Sequence, residues 1–221
     1  LKVSFGISGS MLKWIQTYLT NRIQYVKVGE GRSSKMVTNV GVPQGSVLGP
    51  LLFSLYVSPI SHVISSFGIS FHQYADDTQL YLNIDPHSAN QSLDNLDRCT
   101  RGIQNWFNHN GLCLNPTKSE VMFIGTRKQV VEVKNLDSIS ITGSSIKPVE
   151  SIKNLGVYLD TNLTFNSQIN NICKSSQFHI RALRHVRRSL SKDISCRVAC
   201  AIVGAKLDYC NSILYGTTTK N

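Results

Sequence analysis

Apolar residues between positions 8 and 21 recur with a helical period, and Met11, Leu12, Trp14, Ile15, Tyr18 and Leu19 fall on one broad stripe. The period shortens to that of strands at residues 24–28 and 35–40, and the polar connector 29–34 predicts a hairpin turn between them. Gly41-Val42-Pro43-Gln44-Gly45 breaks any regular pattern, because two glycines and a proline favour loop backbone. From Ser46 to Val57 the chain is strongly apolar and reads as a helix, with Pro50 tolerated in its first turn. Residues 69–82 read as strand, tight turn and strand, with Phe71, Tyr74, Leu80, Tyr81 and Leu82 flanking a turn at Asp76-Asp77. A helix over 88–108 buries Leu93, Leu96, Ile103, Trp106 and Phe107 and stops at Asn110-Gly111. Residues 120–124 read as a strand closed by Gly125, and the polar stretch 126–150 is the best candidate for a domain boundary. Residues 155–159 read as a strand in which Gly156 makes either a tight, closely approachable backbone or a bulge, and two helices follow near 165–189 and 191–214. This order predicts an α+β fold whose C-terminal third is mostly helical.

The chain has 221 residues, 41% of them hydrophobic, which is enough for one good core or two small ones. Lys and Arg number 23 against 13 Asp and Glu, a formal charge of +10. That excess points to a polyanionic partner, nucleic acid first. An anionic membrane surface is the rival, but no run of 18 apolar residues is present to span a bilayer, and we expect no membrane partner. Leu1-Lys2-Val3-Ser4-Phe5 looks like neither an initiator start nor a signal peptide, so we expect an internal stretch of a longer protein. Cysteines 99, 113, 173, 196, 200 and 210 show no zinc-ligand spacing and read as reduced thiols, which suits an intracellular setting.

Two adjacent carboxylates at a hairpin tip repel one another, and a divalent cation supplies a reason to place them there. Mg²⁺ takes one or two carboxylates together with phosphates and water, and Mn²⁺ shares its liking for oxygen. Asp76 reads as the principal ligand and Asp77 as its turn-side partner, while small Ala75 leaves room for a nucleotide end. Alone, an Asp-Asp between strands is an ordinary turn. What makes the pair specific is Gly41-Val42-Pro43-Gln44-Gly45-Ser46-Val47-Leu48-Gly49-Pro50-Leu51-Leu52-Phe53 upstream of Tyr74-Ala75-Asp76-Asp77.

In order and spacing these two runs resemble motifs B and C of reverse transcriptases, and in detail those of animal non-LTR (LINE-type) retrotransposons. Leu114-Asn115-Pro116-Thr117-Lys118-Ser119-Glu120 resembles their motif D, Asn154-Leu155-Gly156-Val157 the primer-grip region, and Leu207-Asp208-Tyr209-Cys210-Asn211-Ser212 a late thumb stretch. The resemblance implies a partial right-hand polymerase palm with a finger remnant over residues 1–145, and a primer-grip-like strand region with a helical thumb over 146–221. It implies two-metal nucleotidyl transfer on an RNA template and DNA primer, with deoxynucleoside triphosphates as substrates of the parent enzyme and the nucleus as a suitable compartment. Gln44, Gly45, Tyr74 and Ala75 would meet template or nucleotide, and Lys118 would protonate the leaving pyrophosphate. Lys174, Arg181, Arg184, Arg187 and Arg188 would follow the backbone of an RNA–DNA hybrid; His179 and His185 read as packing or phosphate-adjacent residues rather than metal ligands.

The family's motif A carries a further Asp on a strand upstream of the Pro-Gln-Gly block. Before Asp76 this chain has no Asp, and Glu30, in a polar turn, is its only Glu there. Asp85, Asp94 and Asp97 lie downstream in unsuitable contexts. The expectation is therefore a polymerase segment that binds metal weakly and does not itself polymerise, with a non-catalytic nucleic-acid-binding remnant as the alternative.

Overall fold

In the computed structural model, which describes residues 1–85, 88–133 and 138–217, the described strands pair as five separate antiparallel ladders of two. They are distributed over two units, one of Leu1–Asn83 with Arg101–Leu112 and the other of Ile84–Thr100 with Cys113–Asn221. The mixture of helix and sheet is that of an α+β fold.

The first unit opens with a helical turn α1 (Lys2–Phe5) and the amphipathic helix α2 (Gly9–Leu19), whose apolar stripe buries Ile15. Next come β1 (Arg22–Gln24), β2 (Lys27–Val28), β3 (Gly31–Arg32) and β4 (Met36–Thr38). β1 pairs with β4 and β2 with β3, so the expected hairpin forms with a break in each arm. Its turn is shorter than the polar run 29–34 suggested: Val28 faces Gly31 in register, leaving Gly29-Glu30 as the tip. Gly29 takes the positive φ of 57° that such tight turns demand.

The apolar run is shorter as a helix than the pattern implied. α3 spans Gly49–Val57, because Ser46 is engaged in the preceding turn, and Pro59 then opens a separate helix α4 (Ile60–Ser65) that the sequence reading did not anticipate. Ile60 and Ile64, four apart on α4, are both fully buried and centre the core with Leu52, Val57 and Ile69. The hairpin β5 (Ser70–Tyr74) and β6 (Asp77–Tyr81) follows. Helix α5 (Ala89–His109) has its C-terminal half in this unit, where Gly102 lets the ring of Phe67 and a methyl of Val63 approach to 3.2 and 3.3 Å of where a β-carbon would stand. The Tyr56 hydroxyl donates to the Asn110 carbonyl beyond the end of α5 (2.7 Å).

The second unit takes the first half of α5, a 3-10 turn at Pro116–Lys118, helix α6 (Arg127–Val133) and the hairpin β7 (Ile139–Ile141) and β8 (Ser144–Ile146). Then come the hairpin β9 (Ser151–Asn154) and β10 (Val157–Asp160), helix α7 (Asn166–Val186), a 3-10 turn at Arg187–Ser189, helix α8 (Lys192–Asp208) and a 3-10 turn at Asn211–Leu214. Cys99, Ile139, Ile141, Val157 and Ile172 form its buried core. Ser140 donates to Asp97 (3.1 Å), joining β7 to α5.

Two expectations are corrected by the observed backbone. Residues 120–124 form no strand: this segment makes isolated backbone bonds, Val149 N–H to the Val121 carbonyl and Gly125 N–H to the Thr161 carbonyl, without a continuous ladder. The described part of 126–150 holds α6 and a hairpin with Ile139 and Ile141 buried. Gly156 is not a bulge within a strand but half of a two-residue turn, since Asn154 and Val157 are the paired residues on either side of it.

Candidate active site

The carboxylate pair stands at the tip of the β5–β6 hairpin. Tyr74 faces Asp77 in register, so the turn consists of Ala75 and Asp76. This shifts the expected turn by one residue: Asp76 is a turn residue, and Asp77 begins the second strand. Ala75 has φ 54°, a left-handed conformation that a β-carbon disfavours and that is uncommon outside Gly, Asn and Asp. Asp76 and Asp77 are both exposed and Tyr74 is 61% exposed, so the tip presents two carboxylates and a phenol to solvent. Two adjacent oxygen-donor side chains fit a hard divalent cation as part of its shell. Among the described residues no group of three or more His, Cys, Asp or Glu is placed to hold a metal ion.

The Pro-Gln-Gly loop lies in the same unit. The Ser46 N–H donates to the Pro43 carbonyl (3.2 Å), closing a tight turn with Gln44 and Gly45 at its centre. Gly45 has φ 77°, the sign a type II turn requires at that position, and nothing lies within 4 Å of where its β-carbon would be. Both Gln44 and Gly45 are exposed. The Ser46 hydroxyl donates to the Pro43 carbonyl (2.7 Å) and accepts from the Gly49 N–H (3.1 Å), so one side chain closes the turn and gives the first N–H of α3 a partner. Gly49 is buried there, where a β-carbon would come within 2.9 Å of the Ser46 oxygen. Arg22, which the sequence reading passed over, donates from its guanidinium to the carbonyls of Leu19 (3.2 Å), Val40 (2.9 Å) and Gly41 (2.6 Å). It thereby ties the end of α2 to the start of this loop. A lone arginine at a strand start gives no sign of partners 18 and 19 residues away.

The remaining candidates lie in the second unit. Lys118 ends the 3-10 turn that Asn115 caps by accepting from the Thr117 N–H (3.1 Å), and it is exposed. Lys174, Arg181 and Arg184 stand on α7, and their spacing places them on one side of it; Arg187 and Arg188 lie in the turn that follows. All five are exposed. Arg197 on α8 is paired with Asp193 (3.0 Å), an exposed bridge one turn apart. The His179 ring sits edge-on to Phe178 at 5.4 Å.

Two further features order this unit around the β9–β10 hairpin. Asp160 accepts from the N–H groups of Asn162, Thr164 and Phe165 and from the Thr164 hydroxyl, at 2.8–3.2 Å, and so shapes the loop into α7. The Tyr209 hydroxyl donates to the Leu155 carbonyl at the hairpin tip. The first is legible in principle, since Asp followed by Thr, Asn and Thr before a helix has the composition of a cap. The second is not, because its partners are 54 residues apart.

A model of the family "Reverse transcriptase (RNA-dependent DNA polymerase)" matches residues 2–159, and the chain belongs to that family, in the branch of the non-LTR (LINE-type) retrotransposons. It is 29% identical over 164 residues to the RNA-directed DNA polymerase from mobile element jockey of Drosophila melanogaster, covering 72% of this chain and 17% of that protein. The jockey polymerase of Drosophila funebris is 26% identical over 223 residues, 97% of this chain and 23% of its own length. The retrovirus-related Pol polyprotein from type-1 retrotransposable element R1 of Nasonia vitripennis is 24% identical over 185 residues, covering 80% of this chain and 52% of the relative. The chain thus spans about a fifth of the jockey polymerases it matches. No solved structure gives a significant match.

Proposed function

We propose that this chain is a segment of a retrotransposon polymerase that copies RNA into DNA, and that by itself it is inactive because it lacks part of the catalytic metal site. The observation carrying this is the β5–β6 tip: two adjacent exposed carboxylates on a two-residue turn that holds Ala75 in a left-handed conformation, inside the region matched by the family. Asp76 and Asp77 are the groups that would hold Mg²⁺ or Mn²⁺. When bound, such an ion supplies Lewis-acid stabilisation of the attacking 3′-oxygen and of the leaving pyrophosphate. Gly45 leaves the backbone of its turn open to an incoming nucleotide or template, and Gln44 offers both a donor and an acceptor beside it. Lys118 is proposed as the group that donates a proton to pyrophosphate, and Lys174, Arg181, Arg184, Arg187 and Arg188 as cations that follow the phosphates of an RNA–DNA hybrid. In the parent polymerase, residues 1–145 would then be palm with a finger remnant and 146–221 grip and thumb, although neither observed unit ends at 145.

Residues 1–221 contribute no acidic side chain before Asp76 except Glu30. Loss of one metal ligand removes several kcal/mol of transition-state stabilisation, about tenfold in rate for each 1.4 kcal/mol. The test is primer extension by this chain on a primed RNA template with Mg²⁺, against an Asp76→Asn control. Extension no faster than the control supports the proposal, and extension well above it overturns the inactivity. Hybrid binding without chemistry is the outcome expected of this segment.

A further inference from the structure

We propose that Tyr209 is a positioning residue: it latches the Leu155-Gly156 turn to the end of α8, so that this turn and the basic helices engage an RNA–DNA duplex as one body. The proposal rests on the reading of these helices as a nucleic-acid surface and adds a residue that reading does not contain.

The geometry is local and complete. Leu155 and Gly156 both take positive φ, 45° and 87°, in the turn between the paired Asn154 and Val157. The left-handed leucine is disfavoured on its own. Tyr209, just past the last residue of α8, donates its hydroxyl to the Leu155 carbonyl. The ring also lies over Gly156, with Cε1 and the phenolic oxygen 3.4 Å from where a β-carbon would stand. The same hairpin is held along β10 by α7, where the Tyr158 N–H donates to the Gln168 side chain (3.0 Å), itself 2% exposed. Asp160, the last residue of β10, organises the loop that begins α7. The hairpin is therefore fixed along β10 by α7 and at its tip by the end of α8.

The latch has a chemical consequence for a polyanion. A carbonyl oxygen at an exposed turn carries partial negative charge and repels a phosphate. With the phenol donating to it, part of that negative charge is offset, on a hairpin that also carries Lys153, whose ammonium lies 5.6 Å from the Tyr158 ring centre. A loosened turn exposes the carbonyl and frees the tip from the end of α8.

The test uses the full chain with a labelled RNA–DNA hybrid and a single-stranded RNA of the same length. Tyr209→Phe keeps the ring over Gly156 and removes only the hydroxyl. Hybrid affinity is expected to fall about threefold to tenfold, the range of one net hydrogen bond, with single-strand affinity and the salt slope unchanged because every cation that meets a phosphate is retained. Unchanged hybrid affinity overturns the latch. A parallel loss for both ligands, tracking a lower melting temperature, also overturns it, since that is a purely structural effect. If the wild-type chain binds no hybrid, the nucleic-acid reading itself fails and takes the latch with it; wild-type binding with an indifferent Tyr209→Phe fails the latch alone.

Discussion

Replacing Asp160 by Ala removes the acceptor for four donors at once: the N–H groups of Asn162, Thr164 and Phe165 and the Thr164 hydroxyl. The loop they define holds Leu163 at φ 51° and Phe165 at φ 59°. Each of these left-handed residues costs about 1–2 kcal/mol, so the loop keeps its shape only while the carboxylate offsets that strain. Hydrogen bonds to a charged group contribute about 1.5–3 kcal/mol each in isolation. Here they share one carboxylate and are only partly buried, so water replaces part of what the substitution removes. The expected destabilisation for Asp160→Ala is about 2–4 kcal/mol, with about half that for Asp160→Asn, which keeps one acceptor oxygen. Urea unfolding followed by circular dichroism measures the loss, with an unchanged m-value showing that the denatured state is not the cause. Amide exchange at Thr164 and Phe165 should accelerate in the same variants. A stability within about 0.5 kcal/mol of wild type, the range of ordinary surface substitutions, would refute the claim that this carboxylate shapes the start of α7.

Binding of an RNA–DNA hybrid should weaken steeply with salt, and Arg184→Ala, Arg187→Ala, Arg188→Ala together should flatten the slope by roughly one unit for each phosphate no longer neutralised; an unchanged slope excludes this surface. In a manganese titration the amides of Tyr74 through Thr78 should broaden first, and the Asp76→Asn, Asp77→Asn double variant should lose the effect; broadening centred on Asp94 and Asp97 would make the pair a mere turn. Burial raises the Cys99 thiol from 9.0 to about 11, so at pH 8 iodoacetamide should modify the exposed Cys113, Cys173, Cys196, Cys200 and Cys210 well before Cys99. The sign for stability follows: the neutral buried thiol contributes fully below pH 9, and that contribution is lost as the pH rises through about 11. Prompt labelling of all six cysteines in the folded protein would contradict it.

The helices were legible because their apolar periods are long: α2, α5, α7 and α8 lie within a residue or two of the pattern except where 3-10 turns replace the last residues. Short elements misled in a consistent direction. The run from Ser46 was too uniformly apolar to show that Ser46 belongs to a turn and that Pro59 separates two helices. Residues 120–124 have strand composition but form no ladder, and composition carries no information about whether a partner exists. At the carboxylate tip the sequence placed the hairpin correctly but missed its register by one residue. Asp is the more favoured turn former, and only the left-handed Ala75 shows that the turn begins earlier. Arg22 and Tyr209 were beyond reach because their partners are distant in sequence.

The placement of backbone strain connects these features. Among the described residues, non-glycine positions with positive φ are Asn21, Ala75, Thr142, Leu155, Leu163, Phe165 and Cys210. Asn21 precedes Arg22, whose guanidinium anchors the Pro-Gln-Gly loop; Ala75 precedes the carboxylate pair; Leu155 is the acceptor for Tyr209, and Cys210 follows it; Leu163 and Phe165 are in the loop that Asp160 holds. Thr142, in the turn of β7 and β8, stands apart from these. Left-handed residues persist only where the surroundings over-determine them. At Leu155 and Phe165 the determining bonds involve one polar side chain, Tyr209 or Asp160, and at Leu163 the N–H donates to the Asp160 backbone carbonyl (2.9 Å). Ala75 differs, because its turn is flanked by the Tyr74–Asp77 strand pair and two like charges follow it. A cation shared by Asp76 and Asp77 would remove that repulsion and stabilise the turn, which is why the carboxylate tip, alone among these strained positions, should become more rigid when divalent metal is added.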